Sequence, residues 1–187
     1  MSDDVLLDAA KKCVLAVGVR RTTLAEIART AKVSRMTVYR RFPDVRSVLA
    51  TLMTREFGGL LQGAAEPEVE PAHFREKLVQ SSTAAVAALS GDPLFRTLLD
   101  LDPELVLPYI VERLGKTQRF AEGVILHLLQ AGHQDGSIRK GDLPAQARTL
   151  LLLIQSFVFS YRPATADVNE KALMTEFAHV IDTALRP

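Results

Sequence analysis

The chain has 187 residues, 48% of them hydrophobic and 24% charged, with a formal net charge of +1 at pH 7. That balance fits a globular protein and excludes a disordered one. No apolar run, LLLLI at residues 150–154 included, approaches the roughly 18 residues of a membrane span, and a single cysteine, Cys13, excludes an internal disulfide framework.

Trp is absent and aromatics are few, while Ala, Leu, Arg and Glu are abundant, so an all-α fold is expected. Cys13 lies among apolar neighbours and reads as a small core residue in a reducing compartment. The N-terminal MSDDVLLDAA starts acidic, unlike a secretory signal, and a cytoplasmic location is expected. The charge is unevenly spread: residues 1–57 carry 11 Lys and Arg against 6 Asp and Glu, whereas residues 58–187 carry 12 against 16. A basic N-terminal third (net +5) on an acidic remainder (net −4) suggests an N-terminal module for a polyanion.

The first predicted helix runs from Asp4 to Val17, with Leu6, Ala9, Ala10, Cys13 and Val17 as one apolar stripe and Gly18 as its stop. In TTLAEIARTA, Thr23 followed by Glu26 is a capping-box pattern opening a second helix, with Leu24, Ile27, Ala28 and Ala31 inward. After a short turn, Ser34 caps a third helix that Pro43 stops near Phe42. Asp44 caps a fourth, with Val45, Val48, Leu49, Leu52 and Met53 at helical spacing. GAAEPEVEPA at 63–72 reads as a linker. Helices then follow from about Pro71 to Leu89 and from Asp92-Pro93, with breaks near Asp102-Pro103, Pro108 and Gly115 and another helix ending near Gly132. QDGSIRKGD reads as a polar turn, and two final helices are split by Pro163.

The third helix is short and rich in donors. At about 100° per residue, Val38 and Phe42 share one face and Met36 and Arg40 the other, with Thr37 and Tyr39 alongside. Eight residues make a rod of roughly 12 Å, comparable to the width of the B-DNA major groove. Arg40 suits a guanine edge, Thr37 a base or phosphate, and Met36 a thymine methyl, while Tyr39 and Arg35 suit phosphates on the groove walls. Amides at the starts of the second and fourth helices, near Thr22, Thr23 and Arg46, suit anions.

TTLAEIARTAKVSRMTVYRRFPD followed by an apolar helix resembles the DNA-binding domain of the TetR family of bacterial transcriptional regulators, over residues 5–57. The resemblance rests on the Thr-rich helix start, Glu-Ile-Ala, Ala-x-Val-Ser and Thr-x-Tyr-x-x-Phe-Pro. It implies DNA contacts from Thr22, Thr23, Arg35, Met36, Thr37, Tyr39, Arg40 and the Arg46 region. The sequence departs from the family pattern at Met36 and Lys32, where glycine is usual, and at Val45, where a phosphate-contacting lysine is common. The expected organisation is a three-helix helix-turn-helix domain (1–57) and a helical ligand-binding and dimerisation domain (58–187), with about nine or more helices in all.

Within residues 143–162 the stretch TLLLLIQSFVFSY is apolar on every face of a helix, which requires cover on both sides. By resemblance, this helix and the one at 168–185 form a dimer interface through Leu151, Ile154, Phe157, Val158, Tyr161, Phe177 and Ile181. The middle helices would surround a small apolar ligand with Leu78, Val86, Phe95, Leu99, Tyr109, Phe120 and Val124. Asp100, Asp102 and Glu104 read as a solvated turn, and the four histidines have no metal-ligand spacing. Neither a cofactor nor a membrane is expected as a partner.

Familiar catalytic motifs such as G-x-S-x-G, H-E-x-x-H and the P-loop are absent, so an enzyme is not expected. The alternative is a helical protein–protein interaction module that has lost DNA binding. It predicts a neutral third helix, whereas residues 34–42 carry three arginines. The sequence therefore points to a DNA-binding transcriptional regulator, a homodimeric repressor released by a small apolar ligand.

Overall fold

The computed structural model describes residues 3–66 and 69–187, and among these every regular element is a helix. In chain order they are α1 (Asp3–Val17), α2 (Leu24–Thr30), α3 (Arg35–Arg41), α4 (Val45–Ala64), α5 (Phe74–Gly91), α6 (Pro93–Leu101), α7 (Pro103–Val106), α8 (Pro108–Val111), α9 (Lys116–Gln134), α10 (Leu143–Ala164) and α11 (Glu170–Leu185). The chain forms two compact units, Met1–Gly58 with Gly91–Gly115, and Gly59–Ser90 with Lys116–Pro187. A single cut after residue 57 does not anticipate the grouping of 91–115 with the N-terminal helices. Two residues of the expected linker, Pro67 and Glu68, lie outside the described residues.

In the first unit α1 packs against α2 and α6. Cover on two sides widens its buried arc beyond one stripe. Leu6, Leu7, Ala9, Ala10 and Val14 are buried, whereas Cys13 is only half-buried and Val17 is 40% exposed. Gly18 ends the helix at φ +77°, its N–H donating to the Val14 carbonyl at 2.8 Å. Val48, Leu49, Leu52 and Phe57 of α4 are buried, and the Phe57 ring meets Phe95 of α6 edge-on at 5.4 Å. At the rim, Arg55 of α4 reaches Asp4 and Asp8 of α1 at 3.3 and 2.7 Å, and Lys11 pairs with Glu56.

In the second unit α9 and α10 pack together, with Ile125, Leu128 and Leu129 buried on one and Ala147, Leu150, Leu151, Ile154 and Val158 on the other. Phe177, Ile181 and Leu185 of α11 are buried, and the Phe177 ring lies 4.2 Å from Phe157. Arg75 ties α5 to α11, donating to Asp182 at 2.8 Å and to the Ser137 carbonyl at 2.9 Å.

Two expectations need correction. The turn at 134–142 is not purely polar: Ile138 is 2% exposed and packs over Gly132. Nor does Pro163 split the last two helices. It sits in the final turn of α10, which runs on to Ala164, because a proline there removes only one hydrogen bond before the helix ends anyway.

Candidate nucleic-acid interface

The helix pair α2–α3 is fixed at each end by local chemistry. Thr23 is the N-cap of α2, its hydroxyl accepting the Glu26 N–H at 3.2 Å. The expected capping box is half formed, since the Glu26 carboxylate meets the Thr23 hydroxyl at 3.4 Å. Ser34 caps α3 in the same way, accepting from Thr37 N–H at 3.2 Å. At the C-terminus Phe42 is extended (φ −130°, ψ 119°), the conformation that the following Pro43 demands. Between the helices Lys32 adopts φ 56°, a left-handed conformation in which the chain reverses within a few residues.

This framing leaves α3 with two unlike faces. Val38 is fully buried and Phe42 is 6% exposed, anchoring the helix. Burial of such side chains stabilises by about 1.5–3 kcal/mol each. On the opposite face Met36 is 67% and Tyr39 52% exposed, with Arg35 and Arg40 exposed beside them. Thr37 is half-buried, its hydroxyl 2.8 Å from that of Ser34.

The arginines divide by partner. Arg41 forms a two-point contact with Asp3 at the start of α1, which pulls the Asp3 carboxyl below its ordinary value. Arg35, Arg40 and Arg46 have no ion pair among the described residues. Guanidinium groups, an apolar methionine and a phenol are together the chemistry that suits phosphate oxygens, base edges and a thymine methyl. Asp44 accepts the Ser47 N–H at 2.7 Å and so starts α4, placing Arg46 in its exposed first turn.

Thr22 does not join this surface. It is 4% exposed, and its hydroxyl donates to the Gly18 carbonyl at 2.7 Å, so the side chain closes the α1–α2 turn instead of reaching outward. Sequence reasoning also missed Asp102. It is 1% exposed, not part of a solvated turn, and accepts the Val19 and Arg20 N–H groups at 2.7 and 3.3 Å. No periodicity signals that contact, because its partners are backbone groups more than 80 residues away.

The residues expected at a dimer interface are largely satisfied within the chain. Leu151, Ile154, Val158, Phe177 and Ile181 are all buried in the second unit. Phe157 is half-buried beside Phe177, and the Tyr161 hydroxyl donates to Glu170 at 2.7 Å. On the same helices Leu152 and Val180 stay 54% and 44% exposed.

The expected ligand-lining residues do not gather in one unit. Phe95, Leu99 and Tyr109 belong to the first, with Phe95 in its core and Arg113 stacked 5.4 Å from the Tyr109 ring centre. Leu78, Val86, Phe120 and Val124 belong to the second, where Leu78 and Val86 are buried, Val124 is half-buried and Phe120 is 45% exposed. A groove of about 510 Å³ between α5 and α11 uses none of the seven and is lined by charged and polar side chains such as Arg75, Glu76, His179 and Asp182 together with the apolar Val79 and Ala178. Among the described residues no three His, Cys, Asp or Glu side chains are placed to hold a metal ion, and no helix is long and apolar enough to cross a membrane.

A capped helix pair, a tight turn and a second helix that exposes unpaired arginines from a buried anchor define a helix-turn-helix DNA-binding regulator. Residues 6–50 match the model of the bacterial regulatory proteins of the tetR family. An uncharacterised HTH-type transcriptional regulator of Mycobacterium bovis is 39% identical over 178 residues, 95% of this chain and 90% of the relative. A fatty acid metabolism regulator protein of Bacillus subtilis is 22% identical over 136 residues, 73% of this chain and 70% of the relative. Among solved structures, the transcriptional regulator FadR of Bacillus subtilis in complex with stearoyl-CoA shares the fold, with TM-score 0.72 at 18% identity over 99% of this chain and 100% of that one. The chain belongs to the TetR family of transcriptional regulators.

Proposed function

We propose that this regulator is a homodimeric operator-binding repressor whose DNA contacts come from Thr23, Arg35, Met36, Thr37, Tyr39, Arg40 and Arg46. The observation that carries this reading is the exposed, unpaired face of α3 standing on buried Val38. A helical module that had lost DNA binding predicts a neutral third helix, whereas residues 34–42 carry three arginines, two of them without an ion pair among the described residues. One short helix in one groove gives too little contact for specificity, so two copies would read half-sites about one helical turn or more apart. Leu152 of α10 and Val180 of α11, apolar yet exposed, support pairing through these helices.

Release by an effector belongs to the same reading. The ligand of FadR in the structural neighbour makes long-chain acyl-CoA the first effector class to test. Shifting the bound population from 1:99 to 99:1 needs about 5.5 kcal/mol of differential affinity between the two states. Helix α4 is the natural lever, because its Val45–Ala64 span runs without interruption from residues of the first unit into those of the second.

The test is fluorescence anisotropy on the intergenic DNA upstream of the protein's own coding sequence, against a scrambled duplex, over a salt series. Wild type should prefer the intergenic DNA with a steep salt slope, and Arg40→Ala should lose about 1–3 kcal/mol of that preference. Equal, weak binding of wild type to both duplexes would count against the operator reading.

A further inference from the structure

Two Asp-Pro steps open helices in the first unit, and they behave differently. At Asp92-Pro93 the carboxylate caps its own helix, accepting the Phe95 N–H at 2.8 Å. At Asp102-Pro103 it makes no cap bond to α7. The Asp102 side chain turns instead to the α1–α2 turn, where Oδ2 accepts the Val19 N–H at 2.7 Å and Oδ1 the Arg20 N–H at 3.3 Å. Arg20 adds its guanidinium, with Nε 3.7 Å from Asp102 and 2.7 Å from Glu104.

The turn is shaped to receive this carboxylate. A Cβ at Gly18 would meet Asp102 Oδ2 and Leu101 Cδ1, each at 3.2 Å, and Gly18 holds φ +77°. Thr22 closes the turn from within, its N–H donating to the Val19 carbonyl at 3.0 Å and its hydroxyl to that of Gly18 at 2.7 Å. The next residue, Thr23, starts α2. A carboxylate that is 1% exposed is strongly disfavoured unless hydrogen bonds replace its water, and here they come from the backbone leading into the helix-turn-helix.

We propose that Asp102 is a positioning residue for DNA recognition: by holding the Val19 and Arg20 amides it sets the α1–α2 turn, and with it the placement of the α2–α3 pair on α1. Asp102 touches no DNA in this scheme. It makes the segment that contains α6 and α7 part of the operator-binding apparatus, and it rests on the operator reading above.

The test compares wild type, Asp102→Asn and Gly18→Ala on the intergenic and scrambled duplexes, with thermal unfolding and amide exchange alongside. Asp102→Asn keeps the shape of the side chain but places an NH2 where an acceptor stood. Its affinity for the intergenic DNA should fall by about tenfold or more, the scale of a lost charged hydrogen bond. Affinity for scrambled DNA should hold or rise, because one negative charge is gone and non-specific binding depends on charge. The Val19 and Arg20 amides should lose exchange protection. Gly18→Ala presses on the same contact with every charge intact and should move the preference in the same direction, so it decides the matter if Asp102→Asn does not fold. Two results would overturn the proposal alone: a variant that discriminates the duplexes as well as wild type, or one whose affinities for both fall together in step with its folded fraction. A wild type that fails to discriminate overturns the operator reading and this proposal with it.

Discussion

Lys32 holds φ 56°, where a Cβ is crowded, yet its side chain is exposed and forms no ion pair among the described residues. Nothing in the folded protein is lost with that side chain. Lys32→Gly should therefore raise stability by about 0.5–1 kcal/mol, less any added freedom of the unfolded chain. Urea unfolding checks this, and an unchanged or lowered midpoint would sink the idea. Tyr161 offers a second residue-scale test. Burial, aided by the hydrogen bond to Glu170, pushes its phenol up to about 12. The fold thus favours the protonated form, a contribution fully present below the unfolded value of about 10 and lost as the pH rises to about 12. The chain has three tyrosines and no Trp, so tyrosinate absorbance is readable. A step near pH 12 that Tyr161→Phe removes is expected. A titration in which the substitution removes no such step would refute the assignment.

The helices show how local signals and packing share the work. Thr23, Ser34, Asp92, Asp142 and Asn169 each cap the helix that follows them. The starts at Thr23, Ser34 and Asp92 are legible in the sequence because a cap is a bond between residues two or three apart. The junction of α9 with the turn after it is different. A Cβ on Gly132 would lie 2.3 Å from Ile138 Cδ1 and 3.1 Å from its Cβ. Gly132→Ala should then destabilise by about 1–2 kcal/mol despite alanine's better helix propensity, because a buried β-branched side chain has to move. Adding Ile138→Ala should relieve the clash, which a double-mutant cycle in thermal unfolding would reveal as strong non-additivity. Purely additive losses would show that the two residues do not oppose each other.

At the scale of the molecule, assembly is decided by what the chain leaves uncovered. α10 reads as apolar all round, but Leu150, Leu151, Ile154 and Val158 are covered by its own unit. Leu152 is not, at 54% exposure, and under the proposed dimer it is the residue of α10 that a second copy would cover. Leu152→Glu should convert a dimer into a monomer and weaken operator binding by about a hundredfold or more, since one half-site then binds alone. Sedimentation velocity reads the first effect directly. A variant that sediments as wild type would move the interface elsewhere.

The sequence by itself determined the all-α class, the capped helix pair and the division of α3 into an anchored and an exposed face. These depend on bonds and spacings within a few residues, where chemistry and chain order coincide. It also pointed to the family, through a motif confined to one helix-turn-helix. Only the tertiary structure decided which of the α3 arginines are free, since Arg41 finds Asp3, which lies 38 residues away in the chain. Only the tertiary structure separated covered from uncovered leucines on α10 and turned Asp102 from an apparent surface residue into a buried acceptor. In each case the partner lies on another element, and an amino-acid pattern carries no record of which distant backbone groups folding will bring to a carboxylate.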